Sequence, residues 1–157
     1  EKELNNSKSD ITIVIGGTGK SEDDFNFENL KLLIDGLNLK PGRPFKSFIR
    51  NKKIFLFFPG NPCSSFVLTN ILINSLILRY QFSKDLTFDK EIDIKKIKFN
   101  FNSLIRKSFL FGFMKDDQNI KIFNNQESSN ISNILKSNCL IYFNKTKKLR
   151  IYKLNDK

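Results

Sequence analysis

Residues 52–80 most constrain what this chain can fold into. Lys53-Ile54-Phe55-Leu56-Phe57-Phe58 is an apolar strand candidate that runs into Pro59-Gly60-Asn61-Pro62, and an apolar helix candidate, residues 63–79, begins at once. Pro59 fixes one φ angle, Gly60 permits a positive one, and Asn61 can cap the helix with its side-chain oxygen. Pro62 then falls at the first helical position, where its missing N–H costs nothing. Strand, stiff turn and helix start in that order leave backbone N–H groups facing outward, a spot suited to an anion. The same pattern also makes a plain strand–turn–helix joint.

A second glycine turn adds weight to the anion reading. Ile11-Thr12-Ile13-Val14-Ile15 is a β-branched run, expected as a covered parallel strand, and it stops at Gly16-Gly17-Thr18-Gly19. Glycines directly after such a strand let the backbone approach a ligand. Thr18 and Ser21 offer hydroxyls and Lys20 could meet a phosphate. Asp23 and Asp24 could hold a metal ion or a heterocycle, or could cap the next helix. That helix is expected over 27–37, with Phe27, Leu30, Ile34 and Leu37 on one face. A third turn, Lys40-Pro41-Gly42-Arg43-Pro44, sets two cations in a stiff frame, where gripping an anion costs less entropy.

Composition narrows the chemistry. With no histidine in 157 residues, no imidazole base and no Ser-His-Asp triad exists, so acid–base and metal work falls to carboxylates. Carboxylates in turn suit magnesium. Two cysteines, Cys63 and Cys139, point to a reducing, cytoplasmic setting. Cys63 at a helix start is either a reactive thiolate or a small buried apolar group. The net charge of +11 invites nucleic acid, but the lysines are scattered between Asn and Ile, without a compact Arg block. A small phosphorylated ligand is preferred. The helix at 63–79 is broken by Thr69, Asn70, Asn74 and Ser75 and reads as an internal helix covered on most sides, not a membrane span.

Past Tyr80 the texture changes. Short strands are expected near 92–99, 109–113, 120–122, 139–143 and 149–154, with one or two helical turns at 129–136 carrying Ile131, Ile134 and Leu135 inward. Strands at this spacing predict a small barrel or sandwich. The expected fold class is therefore α/β, an incomplete three-layer domain over residues 1–84, followed by a small all-β barrel-like domain over 85–157.

These motifs, taken together, resemble the C-terminal part of the molybdopterin molybdenumtransferase family, which includes the E domain of gephyrin. Ser9 to Gly17 is similar to the family's strand and glycine turn, and Glu22-Asp23-Asp24-Phe25 to its acidic loop. Residues 36–45 are similar to its basic Pro-Gly-Lys-Pro turn, and Phe58-Pro59-Gly60-Asn61-Pro62-Cys63-Ser64-Ser65 to its Leu-Pro-Gly-Asn-Pro-Val-Ser signature. Gln126-Glu127-Ser128-Ser129 and Ser137 to Ile141 resemble turns of its terminal barrel domain. Gly19-Lys20-Ser21 departs from the family's Ser-x-Gly, and Phe111 stands where an arginine is common.

The resemblance implies insertion of molybdate into adenylated molybdopterin with Mg²⁺, in molybdenum cofactor biosynthesis. It implies Asp24 and Asp23 as metal ligands, and Asp24, Lys40 and Arg43 as catalytic groups. Gly16, Gly17, Thr18, Ser21, Pro59, Gly60, Asn61, Pro62, Ser64 and Ser65 would bind or shape the molybdopterin pocket, although helix capping explains Ser64 and Ser65 as well. The family's N-terminal domains have no counterpart here. The chain is thus expected to be a portion of a larger enzyme, working as a homodimer or with a partner chain. A non-catalytic pterin- or nucleotide-binding module is the alternative.

Overall fold

The computed structural model describes residues 7–19, 22, 24–117 and 119–154. Two sheets share one long helix. In the first sheet, β1 (Ile11–Ile15), β2 (Leu32–Asp35), β4 (Lys46–Arg50) and β5 (Lys53–Phe58) lie in the order β1-β5-β4-β2. β1 runs parallel to β5, while β4 is antiparallel to both β5 and β2. The central strand β5 is apolar without alternation because both its faces are covered. Leu56 and Phe58 point to Phe45 and Leu68 on one face; Phe55 and Phe57 point to Phe48 on the other.

The helix expected over 27–37 does not form. Residues 28–30 are turn, and the segment from Leu32 to Asp35 is strand. Phe27 and Leu30 pack with Phe57 on one face of the sheet, whereas Ile34 and Leu37 pack with Phe45 on the other. The three-and-four spacing was satisfied by two faces of a sheet. Phe25 and Phe27 lie 4.7 and 4.9 Å from the Phe57 ring, centroid to centroid, so tertiary packing overrides the local period. β1 also differs from expectation. Among the described residues it is an edge strand, with Ile13 42% and Ile15 66% exposed, not a covered one.

Helix α1 (Pro62–Phe82) starts as the sequence demands. Asn61 is its N-cap, accepting from the Ser64 N–H at 3.2 Å, and Pro62 opens the first turn. A π-helical turn at Thr69–Ile73 divides it, where the Asn70 side chain donates to the Phe66 carbonyl at 2.9 Å. Cys63, Phe66, Val67 and Ile71 face the second sheet, while Leu68, Leu72, Ile73 and Leu76 face the first. The helix is the joint between the two sheets. Its second half is less covered than expected, because Ile77, Tyr80 and Phe82 are exposed.

The second sheet comprises β3 (Leu39–Lys40), β6 (Lys90–Asp93), β7 (Lys107–Met114), β8 (Ile120–Ile122), β9 (Cys139–Phe143) and β10 (Lys148–Lys153). Its order is β3-β7-β9-β10-β6, with β8 also on β7. This corrects the barrel expectation. β6 at one edge does not pair with β3 or β8 at the other, and the sheet stays open. Closure is unnecessary because both faces are already covered. Cys63 and Val67 of α1 pack with Phe109, Phe111 and Leu140 on one side; Ile97 and Phe101, from 3-10 turns and their flanks, pack with Leu110 and Ile141 on the other.

Two amide side chains take the place of a neighbouring strand beside β7. Gln126 accepts from the Phe111 N–H at 2.8 Å and donates to the Phe111 carbonyl at 2.9 Å. Asn138 does the same for Met114, at 2.8 Å each way. Backbone groups in a covered strand need such partners. Near them, the short helix α2 (Ser132–Lys136) turns Asn133 and Ile134 inward, whereas Leu135 and the preceding Ile131 are exposed, against expectation.

Candidate functional site

Strand directions place the glycine and proline turns at one end of the first sheet. β1 and β5 end there, β2 ends there, and β4 begins there. Gly16 donates to the Phe58 carbonyl at 2.9 Å, Gly36 donates to the Phe45 carbonyl at 2.8 Å, and Leu37 donates to the Arg43 carbonyl at 2.9 Å. A Cβ on Gly60 would stand 3.5 Å from the Gly16 Cα, so those two turns touch. Gly16 and Gly17 have φ of 96° and 65°, which side-chain-bearing residues rarely adopt. Gly60 is not among the positive-φ glycines, contrary to the expected use of its freedom.

Two adjoining clefts open at this end. One, of about 580 Å³, is lined by Thr18, Gly36, Asn38, Arg43, Lys46 and Arg106. The other, of about 750 Å³, is lined by Thr18, Glu22, Asp24, Phe27, Glu28 and Lys46. Thr18, Asp35 and Lys46 belong to both. One cleft is cationic and the other acidic. Lys46 stands at their boundary, ion-paired with Asp35 and with its ammonium 5.2 Å from the centre of the Phe27 ring. Such a pair, with the acid exposed, holds Lys46 in place more than it stabilises the fold.

Asp24 lies against the glycine turn. A Cβ on Gly19 would come 2.7 Å from its Oδ2, so glycine leaves the room that this carboxylate occupies. Because the clash falls on the tip of a flexible side chain, Gly19→Ala is expected to displace the Asp24 carboxylate yet change stability by only about 0.5 kcal/mol. Thermal melts should show near-identical Tm for the two proteins. A large fall in Tm would mean the loop backbone, not the Asp24 side chain, had moved.

The other expected site residues are distributed unevenly. Arg43 lines the cationic cleft and Thr18 both. Lys40 lines neither; it sits exposed in β3, paired with Ser108. Gly60 stands against Gly16, but neither it nor Pro59, Asn61, Pro62, Ser64 or Ser65 lines either cleft. Their polar groups are largely occupied. Ser64 N–H donates to Asn61 Oδ1, Ser65 N–H to the Asn61 carbonyl at 3.0 Å, and Ser65 Oγ to the Pro59 carbonyl at 2.7 Å. The helix start therefore caps itself. Ser21 and Asp23, with Lys20, lie outside the described residues.

Arg106 and Lys46 were not singled out by sequence reasoning. Arg106 precedes β7, over sixty residues beyond Arg43, and no local pattern marks it. Only the parallel pairing of Leu39 with Lys107 and Lys40 with Ser108 brings it to the cleft. Among the described residues no group of three carboxylates or thiols could hold a metal ion. Magnesium binds through one or two carboxylates plus substrate phosphates, so the donor set fits that ion only with substrate present. Asp24 would then be its protein ligand.

Cys63 resolves to the inert alternative. It is buried, its thiol donates to the Asn130 carbonyl at 3.4 Å, and burial pushes its pKa up. Cys139 is buried as well and is pushed up to about 12 from an ordinary 9.0. A raised folded-state value means the thiols favour folding fully below the unfolded pKa. For Cys139 that contribution is lost as pH rises from about 9 towards about 12. Tm measured across that window should fall, and a thiol-reactive dye should label neither cysteine at pH 7 without denaturant. Rapid labelling would contradict the burial.

No family model matches the chain. Over 76 residues it is 30% identical to a protein of Methanocaldococcus jannaschii provisionally described as a molybdopterin biosynthesis protein, covering 46% of this chain and 19% of that one. The structure superposes on a molybdopterin biosynthesis MoeA protein from Pyrococcus horikoshii with a TM-score of 0.68 and 15% identity, over 99% of this chain and 39% of that one. A second structure of a MoeA protein from that organism gives 0.60 and 17%, over 96% and 38%. The fold is that of molybdopterin biosynthesis proteins. This chain spans under two fifths of the length of those MoeA structures and about a fifth of the archaeal relative.

Proposed function

We propose that the chain acts in molybdenum cofactor biosynthesis, binding adenylated molybdopterin as substrate and taking part in the transfer of molybdate to it. The observation that carries this reading is the cationic cleft that joins the carboxylate cleft at Thr18 and Lys46, at the end of the sheet where the glycine turns meet. Arg43 and Arg106 hold the phosphate and molybdate oxyanions through charge-assisted hydrogen bonds, and Lys46 adds its charge at the boundary. Asp24 receives the divalent ion that accompanies the phosphates. Magnesium, once bound, supplies charge neutralisation at the phosphoryl group being released. Gly16 and Gly17 let the backbone come close to the pterin. Lys40, outside both clefts, has no part in this grip. A homodimer or a partner chain supplies the rest of the site, and the two unbridged thiols fit a cytoplasmic setting.

A second reading, a pterin- or nucleotide-binding module without turnover, is favoured by the chain's spanning under two fifths of the length of the MoeA structures. Anaerobic titration calorimetry with molybdopterin and its adenylate, with and without Mg²⁺, separates the two. Arg106→Ala should weaken adenylate binding about 10- to 100-fold, the worth of a lost charged hydrogen bond. Asp24→Ala should remove only the magnesium-dependent part. Magnesium-independent binding in the parent protein would favour the module. Unchanged affinity in Arg106→Ala would remove the cleft from the site.

A further inference from the structure

Besides Thr18, the two clefts share one pair of opposite charges, Asp35 and Lys46. These residues stand directly opposite each other in the β2–β4 ladder and are ion-paired across it. Each cleft is thereby denied one of its own charges. In the cationic cleft Arg43 and Arg106 have no ion pair among the described residues, whereas the third cation, Lys46, is neutralised. In the acidic cleft the charge of Asp35 is cancelled, and the Lys46 ammonium over Phe27 opposes a cation entering beside Asp24. The pair is open to exchange. The Asp35 side chain is 64% exposed, and its carboxylate has no other hydrogen-bond or ion-pair partner among the described residues.

We propose that Asp35 and Lys46 form a latch that couples the two clefts. An oxyanion in the cationic cleft draws Lys46 away from Asp35, and the released carboxylate favours a divalent cation in the acidic cleft. Either ligand alone must part the pair, so its affinity is lowered by the fraction of molecules in which the pair is open. The second ligand finds it already open. Because both use the same opening, the factor by which the anion tightens the cation equals the factor by which the cation tightens the anion. That factor cannot exceed the strength of the latch, which for an exposed ion pair is about fivefold. Asp35 is thus a positioning residue, acting through Lys46. An oxyanion without its cation, or the cation without an oxyanion, is held weakly, and a phosphate that arrives with its ion is preferred. The inference rests on the proposed reading, in which Asp24 receives the cation, and deepens it by making the two ligands interdependent.

The test uses Mn²⁺ and sulfate as probes on the full chain at constant ionic strength. Electron paramagnetic resonance reads free Mn²⁺, and calorimetry reads sulfate binding. Association of the two ions in solution is the same for every variant and cancels. Saturating sulfate should tighten Mn²⁺ binding about three- to fivefold, and Mn²⁺ should tighten sulfate by the same factor. Asp35→Asn and Lys46→Met should each bring that factor to about one, because either removes the latch. Each should also leave an opposite mark. Without Mn²⁺, Asp35→Asn should bind sulfate about three- to fivefold more tightly than the parent; without sulfate, Lys46→Met should do so for Mn²⁺. A residue needed only for folding would weaken both ligands, and that result overturns the latch. Coupling that survives in either variant overturns it too, since the ligands would then attract each other directly. A factor of one in the parent, with both ligands bound, overturns the latch and leaves the cleft assignment standing. Sulfate that binds neither with nor without Mn²⁺ overturns the latch and the proposed reading together.

Discussion

Replacing Phe57 by alanine is expected to destabilise the protein by about 3–5 kcal/mol, the cost of emptying a large aromatic site. Phe57 is fully buried at the centre of the first sheet. Its ring meets Phe25 and Phe27 at 4.7 and 4.9 Å and Phe48 at 5.8 Å. Phe25 and Phe27 are what hold the loop that carries Asp24 onto the sheet, since Phe25 N–H also donates to the Gly17 carbonyl at 3.1 Å. The cavity should therefore loosen the acidic cleft as well as the core. Urea unfolding gives the first effect. Hydrogen exchange of the residues flanking Phe25 gives the second. Loss of stability with unchanged exchange there would show that the loop is held by something other than these rings. Against a total of about 5–15 kcal/mol for a domain, a loss of this size leaves little margin.

Gly112→Ala should produce the second large effect, about 1–3 kcal/mol of overpacking. A Cβ at this position would stand 2.7 Å from the Lys121 carbonyl oxygen and closer still to Ile141 Cδ1. The isoleucine tip can swing away. The Lys121 oxygen cannot, because it belongs to the backbone of β8, which pairs Gly112 with Ile122. The strain should be relieved by releasing β8, so amide exchange at Ile120–Ile122 should accelerate more than exchange in β9. Equal acceleration in both strands, or a stable variant, would contradict this account. Gly112 stands in an alternating phenylalanine strand, and nothing in that pattern says which neighbour presses on it.

What the sequence made legible was local chemistry. Asn61 and Pro62 specify a capped helix start whatever surrounds them, and the helix begins there. The unbroken apolar run of β5 demands cover on both faces and receives it. Arg43 and Asp24 were legible as charges on stiff or glycine-rich turns, and both line clefts. Spacing misled where two geometries satisfy one period. Phe27, Leu30, Ile34 and Leu37 fit a helix face but divide between two faces of a sheet. Short strands of even spacing fit a barrel as well as the open sheet that α1 and the 3-10 turns cover instead.

The composition and turns of the chain by themselves determined which chemistry is possible: anion grip by cations and backbone, with carboxylates alone for metal. Only tertiary structure decided which groups meet. Arg106 lines the same cleft as Arg43 because β3 crosses to pair with β7, and the N–H groups of Ser64 and Ser65 are withdrawn because the helix start is capped from within. Conformational preference is a property of a few neighbouring residues, whereas proximity between residues far apart in the chain is set by how sheets and helices pack.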